Sequence, residues 1–155
     1  MGKRVIGVDP GSVHVGVSFW YELHGLWACE NAVELTPDEY IDDIMGDLMH
    51  NENAPDAVVI EGFWLKPGKA ALQQAGSEMG TVELIGLTKG ICRYQNVQFI
   101  KVANGQDPII TRLDAAGYEW ASRGHGGHAK DAEAVVVRGL GLKVREIESC
   151  SRGRN

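Results

Sequence analysis

Two short apolar runs in this chain each end in a carboxylate, and that pairing constrains the fold more than any other feature. Val5-Ile6-Gly7-Val8 leads to Asp9, and Ala57-Val58-Val59-Ile60 leads to Glu61. Runs rich in β-branched residues and bounded by turn formers read as buried strands. Pro10-Gly11-Ser12 closes the first run, and Pro55-Asp56 precedes the second. A carboxylate at the end of such a strand lies at the sheet rim, where ligand sites of α/β folds gather. If the two strands are neighbours, Asp9 and Glu61 point into one crevice. They then repel each other unless a proton or a cation lies between them. A hard divalent ion such as Mg²⁺ is the economical solution, because it takes a few carboxylates together with water and phosphate oxygens.

The rest of the chain supplies a frame for these strands. His14–Trp20 alternates Val15, Val17 and Phe19 on one face and reads as a strand hairpinned to Arg4–Asp9. Leu26–Val33 follows a Leu23-His24-Gly25 turn and completes an antiparallel meander. Thr36, Pro37 and Glu39 make a capped helix start, and Tyr40, Ile41, Ile44, Met45 and Leu48 continue at helical spacing. After Glu61, Gly62–Lys69 reads as a loop. Residues 70–94 read as mostly helical, interrupted by Gly76, Gly80, Gly86 and Gly90. Val97–Val102 is a strand, Pro108–Ala116 a short helix and His128–Leu142 the last helix. This order predicts an α/β fold: a mixed five-stranded sheet, an antiparallel meander plus parallel strands, flanked by helices. Residues 1–148 read as one domain and 149–155 as a polar, flexible tail.

Composition narrows the class. The chain has 155 residues and a net charge of −6, with an ordinary globular balance of apolar and charged residues. The charge is uneven: the first 100 residues are acidic, and the remainder is slightly basic. An acidic total argues against coating nucleic acid through bulk charge, but not against an enzyme that gathers carboxylates around metal. Cys29, Cys92 and Cys150 are odd in number and widely spaced, which fits a reducing cytoplasm better than a disulfide framework. The N-terminal apolar run is too short for a signal peptide or a membrane span.

A third element sits late in the chain. In His128-Ala129-Lys130-Asp131, residues 128 and 131 share a helical face. Gly124-His125-Gly126-Gly127 before them allows close approach of another backbone. Each element has an ordinary reading taken singly: Asp9 as a turn residue, His128 and Asp131 as residues of a helix N-terminus. The ordered set of strand-end Asp, strand-end Glu and late-helix H-x-x-D points instead to a two-metal site for phosphodiester hydrolysis.

Val5-Ile6-Gly7-Val8-Asp9-Pro10-Gly11 with Gly16, Val58-Val59-Ile60-Glu61 and His128-Ala129-Lys130-Asp131-Ala132 resemble, in order, the three motifs of the RuvC-type Holliday-junction resolvases of the ribonuclease H-like superfamily. The small size is similar to that of phage-encoded members. The resemblance implies a ribonuclease H-like fold and a metal-binding catalytic set of Asp9, Glu61, His128 and Asp131. It implies two Mg²⁺ ions, replaceable by Mn²⁺, and hydrolysis that leaves a 5′-phosphate and a 3′-hydroxyl. It implies a homodimer nicking two strands of a four-way junction in the cytoplasm, with no membrane. It also implies an aromatic wedge three positions past the Glu, which is Trp64 here, beside Phe63. Lys66 and Lys69 flank it and suit phosphate contacts, and Lys130 is placed to reach a phosphate. Lys101, Arg112 and Arg123 are candidates for the family's remaining basic contacts.

Three rival readings stand beside this one. Asp9, Gly11 and Gly16 also resemble the first phosphate loop of actin-like kinases and ATPases, which need two such domains. A branched-DNA-binding module without activity is a second. A zinc site from His125, His128 and Cys150 is a third, weakened by the place of Cys150 in the tail. On the long helix, Leu84, Leu87 and Ile91 form a stripe that reads as core or as a two-fold dimer seam.

Overall fold

Three strands open the chain as an antiparallel meander: β1 (Arg4–Asp9), β2 (Val15–Leu23) and β3 (Leu26–Leu35). The β2–β3 hairpin turns on His24 and Gly25, both with positive φ (54° and 83°), the handedness that matches strand twist in a two-residue loop. On the other side of β1 lies β4 (Ala57–Glu61), parallel to it, and β5 (Gln98–Val102) is parallel to β4. The computed structural model describes residues 2–50, 52–62 and 69–149, with backbone alone over 69–79. Its sheet has six strands, not the five expected. The sixth, β6 (Ile147–Glu148), is two residues long and pairs parallel with β3 at Trp27 and Ala28. So short a strand exists through its neighbour's free edge, with no period of its own to read.

The helices cover both faces. Thr36 caps α1 (Pro37–Glu39) with the full capping box: its hydroxyl accepts from the Glu39 N–H (3.2 Å), and Glu39 accepts from the Thr36 N–H (2.8 Å). The chain then widens into a π-helical segment, Tyr40–Leu48. Tyr40, Ile44 and Met45 are buried as expected, whereas the wider turn leaves Ile41 exposed. The long helix α2 (Lys69–Tyr94) runs without a break through its glycines. Nothing lies within 4 Å of a Cβ built on Gly86, which is solvent-exposed. Gly86→Ala therefore removes backbone entropy from the unfolded chain without a clash and is expected to stabilise by roughly 0.5–1 kcal/mol. A thermal melt checks this. The expected apolar stripe of α2 divides: Leu84 is buried, Ile91 packs at the core margin, and Leu87 is 40% exposed.

After β5 come α3 (Asp107–Ala115) and α4 (Gly127–Gly139). α4 stops three residues short of the expected Leu142. Gly141 has φ of 64°, the Gly141 N–H donates to the Arg138 carbonyl (3.1 Å), and the Leu142 N–H donates to that of Val137 (2.9 Å). This is a Schellman stop, sealed by the shared burial of Leu142 and Val137.

Strand parity sorts the core. Ile6, Val8, Val58 and Ile60 face the π-helical segment and α2, together with Val15 and Val17 of β2. Val5, Ala57 and Val59 face α4, whose Val135, Val136 and Val137 are buried against them. Gly7 and Gly16 let α4 settle directly on the sheet. A Cβ on Gly7 would collide with the Ala132 carbonyl, and one on Gly16 with the His128 carbonyl. The Ser18 hydroxyl donates to the Ala132 carbonyl (2.8 Å) and accepts from Trp20 Nε1 (3.1 Å), fixing helix to strand with buried hydrogen bonds. Among the described residues, no helix is long and apolar enough to cross a membrane.

Candidate active site

The parity that sends Val5 and Gly7 toward α4 sends Asp9 there too, and the same count along β4 sends Glu61 to that face. Val8 pairs with Ile60, so the two carboxylates end adjacent parallel strands at the same level. The first turn of α4 stands over them with His128 and Asp131. All four side chains line one open pocket of ≈ 440 Å³, completed by the Pro10–His14 turn, Gly62, Thr81 and Asn104. The four expected catalytic residues are thus brought together.

Their charges interact strongly. Asp9 is 6% exposed, and its Oδ2 lies 2.7 Å from His128 Nδ1. Burial raises the Asp9 carboxyl to about 7 against the pull of His128, and the charges of Glu61 and Asp131 push the same way. Burial opposes protonation of His128, but its bond to Asp9 and the charges of Asp9, Glu34 and Asp131 outweigh it and raise its pKa. Burial also raises Glu61 and Asp131. Asp131 adds to the shift of Glu61, while Gln106 and Arg138 oppose it. The pocket is short of positive charge.

Oxygen donors in this state fit a hard divalent cation, which takes carboxylates without needing thiolates or several imidazoles. Among the described residues, no three His, Cys, Asp or Glu side chains stand close enough to enclose one ion together. The donors surround the pocket; they do not converge on one point.

Two further residues hold this arrangement, and sequence reading misses both. Glu34, near the end of β3, accepts from the His128 N–H (2.9 Å) and so satisfies a free donor in the first turn of α4. Gly126 leaves room for it, since a Cβ there would overlap the Glu34 carboxylate. Gln106, just ahead of α3, donates to Glu61 Oε2 (2.9 Å). Neither has a local signal, because each contact spans dozens of residues.

The expected nucleic-acid contacts fare differently. Phe63, Trp64 and Lys66 lie outside the described residues, and Lys69 begins α2 with its side chain outside them. Lys130 turns away from the carboxylates. Its Nζ lies 4.7 Å from the centre of the Trp120 ring and 3.4 Å from Asp114 Oδ2, beside a second pocket that includes Arg123 and His125. His125 and His128 therefore open into different pockets, and Cys150 lies outside the described residues. Cys29 and Cys92 are buried. Glu133 is buried on the far side of α4. It accepts from the Ser122 N–H (2.7 Å), the Tyr118 hydroxyl (3.0 Å) and the Ala121 N–H (3.2 Å).

This arrangement of sheet and helices is a ribonuclease H-like fold. No protein-family model matches the sequence, and no curated protein matches it. Solved structures do match. RuvC of Thermus thermophilus in complex with a Holliday-junction substrate is similar over 85% of this chain and 89% of its own, with 16% identity and a TM-score of 0.52. The large terminase of a thermophilic bacteriophage is similar over 91% of this chain, with 14% identity and a TM-score of 0.54, and this chain spans 40% of its length. A fowlpox virus resolvase with Holliday-junction DNA matches at 12% identity and a TM-score of 0.47, over 92% of this chain and 86% of its own.

Proposed function

We propose that this chain is a divalent-metal-dependent endonuclease that cuts branched DNA, with the four-way junction as its main substrate and a homodimer as its working form. One observation carries the reading: Asp9, Glu61, His128 and Asp131, predicted from three separate motifs, line a single pocket at the strand ends of the fold that RuvC also has. Asp9, Glu61, Asp131 and His128 would hold Mg²⁺ or Mn²⁺. When bound, two such ions supply an activated water and charge stabilisation at both oxygens of an in-line displacement. The protein's own part is to keep three carboxylates together. In the metal-free state Asp9 and His128 share a proton across their 2.7 Å contact, which offsets the burial of Asp9. Glu34 fixes the start of α4, so that His128 and Asp131 stay above the strand ends. The open pocket admits a phosphodiester from solvent.

Phe63, Trp64, Lys66 and Lys69 follow the strand-end Glu61 in sequence and are proposed as the DNA-facing segment. Lys130, which lines the second pocket beside Trp120, is proposed as a DNA contact outside the carboxylate pocket. Two strands of a four-way junction are related by symmetry, and paired cutting calls for two sites. Leu87, exposed on α2, is an available apolar contact for such a pair.

The product ends test the chemistry. Nicks with a 5′-phosphate and a 3′-hydroxyl are sealed by a DNA ligase without further treatment, and this is the expected result. Ends that need enzymatic repair before sealing would exclude the proposed hydrolysis. Trp64→Ala is expected to lower junction cleavage about 10-fold or more, on the scale of a lost base-stacking contact of about 1–3 kcal/mol, while leaving Mn²⁺ binding unchanged. Single-turnover cleavage beside a metal titration measures both. Unchanged cleavage would remove Trp64 from the DNA-facing set.

A further inference from the structure

Gln106 is a neutral residue that is 3% exposed, and its backbone carbonyl is held by the N–H groups of Ile109 and Ile110 (both 3.0 Å). Its side chain is committed as well. Nε2 donates to Glu61 Oε2 (2.9 Å) and to the Ala103 carbonyl (3.0 Å), which uses both amide hydrogens. The amide oxygen is buried and has no hydrogen-bond partner among the described residues. Turning the amide over would set that oxygen against a carboxylate and a carbonyl, so the donor orientation is fixed by its neighbours. An orphaned buried acceptor costs stability, and a Met or Leu at this place would fill the volume without it. The polar group is explained by what it does to Glu61.

We propose that Gln106 is a positioning residue for the cation site: it commits Oε2 of Glu61 to the protein and leaves Oε1 to serve a divalent ion. Glu61 then enters the site through one oxygen and in one orientation. Groups that hold a ligand in this way commonly account for about 10–100-fold in metal affinity. The inference rests on the metal-dependent reading above, and its test separates the two.

The experiment is Mn²⁺ binding, followed by electron paramagnetic resonance, for the full chain and for Gln106→Met, Glu61→Ala and the double variant. The expected result is about a 10-fold loss of Mn²⁺ affinity in Gln106→Met and no further loss when Glu61 is already alanine. A cooperative thermal melt confirms that each variant is folded. Gln106→Asn, which keeps the amide but shortens its reach, replaces the methionine variant if the latter fails to fold, and the same loss is expected. Unchanged affinity in a folded Gln106 variant, with affinity lost in Glu61→Ala, would overturn the inference and keep the metal site. Equal losses in both backgrounds would also overturn it, by showing that Gln106 does not act through Glu61. Absence of Mn²⁺ binding by the unaltered chain would overturn the functional reading and this inference with it.

Discussion

Asp9→Asn is expected to abolish the proposed metal-dependent cleavage and at the same time to make the metal-free protein more stable at alkaline pH. The loss of activity follows from exchanging the proposed anionic ligand for a neutral group of the same size. Charge stabilisation worth several kcal/mol disappears, which is about three orders of magnitude in rate. The gain in stability follows from burial, which lifts the folded carboxyl to about 7 from the ordinary 3.8. The folded protein therefore holds a proton there that the unfolded chain has already released. Stability from this group is fully present below about pH 4, falls as pH rises between the two values, and is gone above about pH 7. Asparagine cannot ionise, so the variant escapes that loss. Thermal melts in EDTA at about pH 4 and about pH 8.5 are expected to show variant and parent close together at the lower pH. At the higher pH the variant melts about 3–6 °C later. Cleavage assays on the same preparations give the activity half. Full activity in the variant would sink the assignment of Asp9.

Gly16→Val is expected to be the most damaging single substitution outside the pocket. A Cβ at this position runs into the His128 backbone, not into a movable side-chain tip. Either α4 lifts from β2, or β2 bends away. Lifting α4 would strain the buried Ser18–Ala132 hydrogen bond and displace His128 from Asp9. A cost of about 3–5 kcal/mol is expected, above the usual range for overpacking because backbone is the obstacle. The melting temperature then falls by roughly 10 °C or more. A denaturant titration of the variant measures the cost directly, and a stability within about 0.5 kcal/mol of the parent would show that the helix does not sit where described. The same contact bears on the resemblance to a phosphate loop. The space at Gly16 is filled by α4, and Gly11 alone of the two glycines lines the pocket.

The parts of this fold that were legible in sequence are those with local causes. β1 and β4 announce themselves as apolar runs, and Asp9 and Glu61 stand out because a charge ends each run. The start of α1 was legible down to its cap, since Thr36, Pro37 and Glu39 carry the whole device within four residues. The π-helical winding after it was not, because Tyr40, Ile44 and Met45 suit a helical stripe of either pitch. The apolar spacing that continues to Leu142 predicts a longer α4, but Gly141 is the left-handed stop and Leu142 belongs to the cap's own contact. Gln106 and Glu34 were invisible for a different reason. Each becomes meaningful only when chain closure brings it to Glu61 or His128, across 45 and 94 residues. The turning of Lys130 onto Trp120 likewise depends on how the 118–122 segment is held by Glu133.

The most direct test of the central claim is one cleavage experiment at equal protein concentration on four DNA substrates: an immobile four-way junction, a 5′ flap, a replication fork and linear duplex. Each is incubated with Mg²⁺, with Mn²⁺ and with EDTA, and Asp9→Asn is run alongside. The expected result is paired, symmetric nicking of the junction with either metal, weaker cutting of the flap and fork, and none in EDTA or by the variant. Cleavage that persists in EDTA, or no cleavage of any branched substrate with both metals supplied, would contradict the assignment of this pocket as a metal-dependent nuclease site.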